Sequence, residues 1–255
     1  MNDINLASWL KRLSYLILFS MVLTACTRYP NPKDPYEGLN RKVFAFNEAM
    51  DAMILRPIAK TYVTLTPVFF QQGVSNFYDN FWVPTTVIND LLQLKIGYAI
   101  SDTWRFLINS TIGLFGLIDV ASHLPALPKH YEDLGLTFAY WGAEESAYLQ
   151  VPLFGPFTFR DACARPIDTF IFSIWPFIEP NGTAYALYGG YLIDTRASVL
   201  PAEKLIKQAF DPYVFVRNAY FQYRAKLIAD NKKTYVQRLR EIYEKKHIQK
   251  SNDTK

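Results

Sequence analysis

The spacing of polar and apolar positions divides the chain into helical stretches of modest length. Residues 13–23 form an eleven-residue apolar run behind Lys11 and Arg12, the length of a signal-peptide core and too short to span a bilayer. Asp34-Pro35-Tyr36-Glu37 predicts a helix start, with Asp34 as N-cap, Pro35 in the first position and Glu37 in the third. Apolar residues follow with helical spacing at positions 39, 43, 46, 50, 53 and 54, and Arg56-Pro57 predicts a break or kink. Pro67 and Gly73 mark a turn region, Pro84 predicts another helix through Leu92, and a further helix over 101–109 leads into the most apolar passage, 106–120. Tyr148–Val151 and residues 157–159 flank Leu153-Phe154-Gly155-Pro156 and predict a short hairpin or two loop strands. Residues 167–178 are apolar nearly all round, hence core or lipid-facing. Asp211-Pro212 repeats the capping signature and predicts a long helix running past Ile242.

The leader ends in Leu23-Thr24-Ala25-Cys26. A leucine at −3, small residues at −2 and −1 and a cysteine at +1 resemble a bacterial lipobox, in which the thiol receives diacylglycerol and the freed amine an acyl chain. Cys26 is therefore the expected lipidation site, and these covalent chains are the expected lipid attachment, with no separate cofactor. Each buried methylene contributes about 0.8 kcal/mol, so several chains anchor firmly. Residue +2 is Thr27; an Asp there resembles an inner-membrane retention signal, so its absence favours the outer membrane. The expected organisation is a signal peptide (1–25), an acylated tether (26–33), a single helical domain (34–225) and a basic C-terminal helix or tail (226–255).

No stretch after the leader offers eighteen predominantly apolar residues; the uncharged run 61–78 contains Pro67, Gln71, Gln72 and Gly73. Contact with a bilayer would then come from short or interfacial elements. The chain has 255 residues, 50% of them apolar and 16% aromatic, and so many rings either fill a core or sit at a membrane–water interface. The net charge is +4, yet the last 32 residues carry ten Lys/Arg against four Asp/Glu, which leaves the body slightly acidic. An exported chain does not meet nucleic acid; a partner protein, anionic headgroups or solvent are the faces such a tail can meet.

Candidate chemistry is sparse. With Cys26 acylated, Cys163 has no disulfide partner, and three histidines with one cysteine are too few for a structural zinc site. There is no Gly-x-Ser-x-Gly elbow, no His-Glu-x-x-His and no phosphate-cradling glycine loop. His123 and His130 read as loop histidines, Glu132/Asp133 and Glu144/Glu145 as solvated faces or caps, and Arg160-Asp161 as an ion pair or polar lining. Gly113-x-x-Gly116 permits close backbone approach.

Taken in order, several segments resemble the MlaA (VacJ) family. They are Asp34-Pro35-Tyr36-Glu37-Gly38-Leu39-Asn40-Arg41 with Phe44 and Phe46-Asn47; Arg56-Pro57; Ser75-Asn76-Phe77 with Asn80 and Pro84; and Arg105-Phe106 with Asn109, Gly113, Gly116 and Asp119-Val120-Ala121. Trp141-Gly142, Val151-Pro152-Leu153-Phe154-Gly155-Pro156, Arg160-Asp161 and Asp211-Pro212-Tyr213 with Arg217, Tyr220 and Gln222 continue the series. The resemblance implies a mainly α, ring-like, membrane-embedded single domain with an amphipathic channel. It also implies a non-enzymatic lipoprotein on the periplasmic face of a Gram-negative outer membrane, beside a trimeric porin. Such a protein removes phospholipids from the outer leaflet and passes them to a soluble periplasmic carrier. An amphipathic lipid needs polar groups along its path, which makes Asn76, Asn80, Asn109, Arg160 and Asp161 candidates for the channel or its adjoining loops. A structural or adhesive lipoprotein and a lipid hydrolase are the competing classes.

Overall fold

A computed structural model describes residues 31–179 and 182–253; the leader, Cys26 and the start of the tether lie outside the described residues. The fold is mainly α, with ten α-helices and one two-stranded sheet among the described residues. Among the described residues no helix is long and apolar enough to cross a membrane.

Helix α1 spans Glu37–Met50, and Asp34 does not cap it: the N-cap is Tyr36, without a side-chain bond. Asp34 is instead fully buried and accepts from Asn40 Nδ2 (2.9 Å), Tyr213 OH (2.6 Å) and Arg217 Nη1 (2.7 Å). Three donors, one of them cationic, outcompete a single backbone cap. At Arg56-Pro57 the helix widens without ending. Asp51–Leu55 form a π turn, closed by Arg56 N–H on Asp51 O, and α2 continues over Arg56–Leu65. The wide turn relieves the clash between the proline ring and the preceding carbonyl.

Helix α3 runs unbroken over Val68–Leu92, so Pro67 precedes it while Gly73 and Pro84 lie inside, against the expectation of a turn and a fresh start. An interior proline costs about 3 kcal/mol. The long seam between α3 and α4 (Ile96–Thr111), the most extensive helix pair in the fold, offsets it. A short link at 93–95 joins the two, with Leu94 left-handed at φ 58°. Beyond α4 an apolar loop turns at Leu114, Phe115 and Gly116, all at positive φ. Helix α5 (Leu134–Tyr140) is capped by Asp133, which accepts from Leu136 N–H.

The hairpin is present: β1 (Tyr148–Val151) pairs antiparallel with β2 (Gly155–Thr158), Tyr148 opposite Thr158 and Val151 opposite Gly155. Thr158 then caps α6 (Phe159–Ile167). The apolar stretch 167–178 becomes the end of α6, a π turn at Asp168–Phe172 and a 3-10 turn at Trp175–Phe177. Phe170, Ile171 and Phe177 face outward and only the polar Asp168 and Ser173 are fully buried, so most of this segment is surface and not core. Helices α7 (Gly182–Ser198) and α8 (Glu203–Gln208) follow, then α9 (Pro212–Asn231), capped by Asp211 as expected. The helix predicted to pass Ile242 is two helices, because α10 (Tyr235–Asp253) starts afresh. Thr234 and Gln237 each bond the other's backbone N–H, a capping box at the new start.

The fold is inside-out. Among the described residues 25 polar or charged side chains are buried against ten hydrophobic ones, while Val68, Phe69, Leu94, Ile112 and Phe115 stand outward. Helix α4 buries Ser101, Asp102, Arg105 and Asn109 and exposes Ile96, Ile100, Trp104 and Leu107. Apolar surface on this scale is not sustained in water and marks a face covered by lipid or protein.

Candidate functional site

Helices α3, α4, α6 and α7, with residues 119–131 and Tyr223 of α9, surround a cavity of about 440 Å³. Helical periodicity makes its wall polar. Ser75, Asp79 and Thr86 come from one face of α3, Asp102, Arg105 and Asn109 (i, i+3, i+7) from α4, and Tyr191, Asp194 and Ser198 from α7. The stripe that would face a core in a water-soluble helix is here the polar one.

Of the expected channel residues, Asn76, Asn80 and Asn109 lie on this wall. Asn76 Nδ2 donates to Leu117 O (3.3 Å) and Asn80 Nδ2 to Ser110 Oγ (2.9 Å), while Asn80 Oδ1 is buried without a partner. Asn109 clamps the following loop, donating to Asp119 Oδ1 (2.9 Å) and accepting from Ala121 N–H (2.9 Å). Arg105 completes the clamp through Asp119 Oδ1 (3.1 Å) and Leu127 O (2.7 Å). Burial opposes the charge of Asp119, yet the donors Ser122 and Asn109 and the nearby Arg105 hold it below the usual carboxylate range. Gly116 has φ 95°, and a Cβ there would sit 2.5 Å from Asn80 Cβ, so the loop's approach to the wall requires glycine.

Arg160 and Asp161 lie elsewhere, in a seam along α9. Tyr213, Arg217, Tyr220, Arg224 and Asn231 share one face of that helix, at i, i+4, i+7, i+11 and i+18. Arg224 forks onto Asp133 (2.6 and 3.0 Å) and reaches Asp161 (3.0 Å), which also accepts from Tyr220 OH (2.7 Å) and Arg160 Nε (3.1 Å). Burial alone would raise Asp133, but Arg224 brings it below the ordinary value. Asp133 is thus both a cap and half of a buried ion pair. Glu132 is no solvated face: it is buried, bound by Lys95 (3.3 Å), Gln93 (3.1 Å) and Asn231 (3.0 Å). Glu144 and Glu145 are exposed, as expected.

His130 is in a loop, but its side chain is only 4% exposed, with Nε2 3.1 Å from Asp90 Oδ1 and Nδ1 2.7 Å from Asp102 Oδ2. Burial opposes its charge, and the two carboxylates outweigh it and raise the imidazole to about 9. Asp90, His130 and Glu132 bring possible ligand atoms within 4.8 Å of one another. With both ring nitrogens set against carboxylates, the charged imidazole is itself the cation of that cluster. Sequence reasoning missed Tyr78, Trp82, Arg165, Tyr191 and Asp194 on the wall. The signal available was the helical spacing of Tyr78 and Trp82 (i, i+4) beside Asp79 and Asn80, and of Tyr191 and Asp194 (i, i+3) in a mostly apolar run.

Comparisons with known proteins agree over most of the chain. A family model described as MlaA lipoprotein matches residues 32–227. The intermembrane phospholipid transport system lipoprotein MlaA of Escherichia coli is 34% identical over 222 residues, 83% of this chain and 86% of that protein. An uncharacterised protein of Rickettsia typhi is 36% identical over 192 residues, 75% of this chain and 76% of its own. A solved structure from work on the "structural basis for maintenance of bacterial outer membrane lipid asymmetry" superposes with a TM-score of 0.67 at 31% identity, covering 76% of this chain and 98% of that one.

Proposed function

The chain belongs to the MlaA lipoprotein family, and from that membership we propose that it carries phospholipids out of the outer leaflet of a Gram-negative outer membrane. In this reading Cys26 bears a diacylglycerol and an N-acyl chain, the apolar outer faces of the helices lie in the inner leaflet, and a trimeric porin flanks the ring. Lipid passes through the polar cavity to a soluble periplasmic carrier.

The observation that carries this reading is the inside-out fold around a polar cavity. A headgroup moving through hydrocarbon without polar partners meets a prohibitive desolvation cost. A wall of Asn, Ser, Thr, Asp and Arg side chains replaces water along the way. The acyl chains need no such help, since about 0.8 kcal/mol per methylene keeps them in an apolar phase. At about 440 Å³ the cavity has the size of a small-molecule site, fit for a headgroup and not for two chains. The reading is non-enzymatic: His130, the histidine on this wall, has a carboxylate at each ring nitrogen and presents neither to a serine. The basic segment from Lys232 onward is the proposed docking site for the carrier; residues 226–231 belong to α9, where Asn231 is held by Glu132.

The test is deletion and complementation. Loss of the gene should let phospholipid accumulate in the outer leaflet and sensitise cells to detergent, and the full chain should reverse both. Unchanged surface phospholipid would sink the proposal. Fatty-acid release from labelled phospholipid by the purified protein would point to a hydrolase, and truncation after Asn231 should weaken carrier binding.

A further inference from the structure

Every arginine before Lys232 among the described residues is ion-paired with a carboxylate except Arg165. Arg165 lines the cavity, its guanidinium 4.5 Å from the centroid of the Trp82 ring, and its one hydrogen bond runs from Nη2 to Tyr191 OH (3.3 Å). Asp133 and Asp168 are close enough to favour its charge, but they are bonded elsewhere, to Arg224 and to the Leu134 N–H. Stacking on an indole holds a guanidinium by its face and leaves N–H groups along its edge for an anion that presents two oxygens side by side, as a phosphate or carboxylate does.

The opposite charge stands alone on the same wall. Asp194 is 9% exposed, accepts only from Ser75 Oγ (3.0 and 3.2 Å) and has no cation against it. Burial raises its carboxyl, with Asp79 adding to the effect and the Ser75 hydroxyl offsetting part of it. Tyr191 and Asp194 are one turn apart on α7, so the helical face that positions the guanidinium also presents the carboxylate. A half-buried guanidinium and a buried carboxylate, neither with a countercharge against it, are a cost that an apo fold has no reason to keep.

We infer that Arg165 and Asp194 are the two halves of a zwitterionic headgroup site, the guanidinium taking the phosphodiester and the carboxylate a primary ammonium. Phosphoethanolamine satisfies both charges, phosphoglycerol only the first, and inorganic phosphate matches Arg165 alone. This assignment rests on the transport reading, under which a phospholipid is what enters the cavity. Trp82 and Tyr191 are positioning residues, since they act by orienting Arg165.

Native mass spectrometry of the full acylated protein, offered phosphatidylethanolamine and phosphatidylglycerol in equal amounts, tests it. The unmodified protein should retain both, the ethanolamine lipid more. Arg165→Gln should lower both about tenfold or more, the loss of a charge-assisted pair. Asp194→Asn should bring the ethanolamine lipid down to the level of the glycerol lipid and leave the latter unchanged. Excess inorganic phosphate should not empty the site; displacement of lipid by phosphate would make it a plain anion site and overturn the headgroup assignment. Should Arg165→Gln fail to fold, Arg165→Lys, which keeps the charge and loses the fork, should still cost several-fold in both lipids, and no loss would overturn the assignment. Wild-type retention by both neutral variants would also overturn it while leaving the transport reading intact. An unmodified protein that retains no phospholipid would count against transport itself.

Discussion

The α9 seam and the cavity wall both bury charge, and they treat it differently. Along α9 each charge meets its opposite: Arg217 meets Asp34, and Arg224 meets Asp133 and Asp161. On the wall Arg105 is matched by Asp119, but Arg165 and Asp194 are not matched. A paired buried charge fixes one arrangement of helices, because separating the pair strands both members. An unmatched one is poor cement and a good receptor. The seam therefore reads as what holds the helices together beside a small apolar core, and the wall as the surface that the proposed transport would use.

The sharpest way to break that contrast is to remove one cation from each region. Arg224→Met strands two buried carboxylates and should cost about 3–5 kcal/mol, read as a fall in the thermal midpoint of the protein in detergent. Arg165→Gln strands none and should stay within about 1 kcal/mol. Equal losses would mean that the wall is also structural. Asp34→Asn is next, at about 2–3 kcal/mol, because it weakens the grip of Asn40, Tyr213 and Arg217 at once.

That pairing explains how far the sequence could be read. Asp34 and Pro35 look like a helix start because local rules see only neighbours. The partners of Asp34 lie at 213 and 217, so its real role is invisible to spacing. Pro84 misleads for the same reason, since the α3–α4 seam that tolerates it is a tertiary contact. The hairpin, the Asp211 cap and the helix-forming periodicities were legible because turn chemistry and capping are local. The capping box of Thr234 and Gln237 is just as local, yet the continuous helical spacing past Ile242 hid the break it makes. Of the channel candidates, the three asparagines share a cavity while Arg160 and Asp161 share the seam. Polarity in an apolar context marks both, and only the fold tells a matched charge from an open one.

Backbone, and not charge, sets the wall beside the apolar loop. Gly116→Ala must relieve a 2.5 Å approach to Asn80 and adopt φ 95°, for an expected cost of about 1–3 kcal/mol. Unlike the α9 variants, it should also lower lipid retention, because Asn80 lines the cavity. Lost stability with unaltered retention would detach the loop from the site.

The smallest change near neutrality comes from titration, and it separates the regions by pH. His130 stands at about 9 against an ordinary 6.5, because Asp102 and Asp90 outweigh the burial that opposes its charge. A raised histidine contributes stability that is complete below pH 6.5 and is lost as pH climbs through 9. Asp168 stands at about 6, pushed up by burial and only partly restored by the Leu134 N–H and Asn89. A raised carboxyl makes the folded form hold its proton longer, so stability again falls as pH rises, here between 3.8 and 6. Asp90, also raised to about 6 chiefly by burial, acts in that lower window with the same sign. The thermal midpoint should decline across pH 6.5–9 in the unmodified protein and stay flat there in His130→Gln, which starts lower. Asp168→Asn should flatten part of the lower slope and leave the upper one in place. The seam's ion pairs, with Asp133 held below and Arg224 above their ordinary values, add no slope in either upper range. A midpoint that rose from pH 6.5 to 9 would show that His130 is neutral in the fold and that its carboxylates are bound by something else.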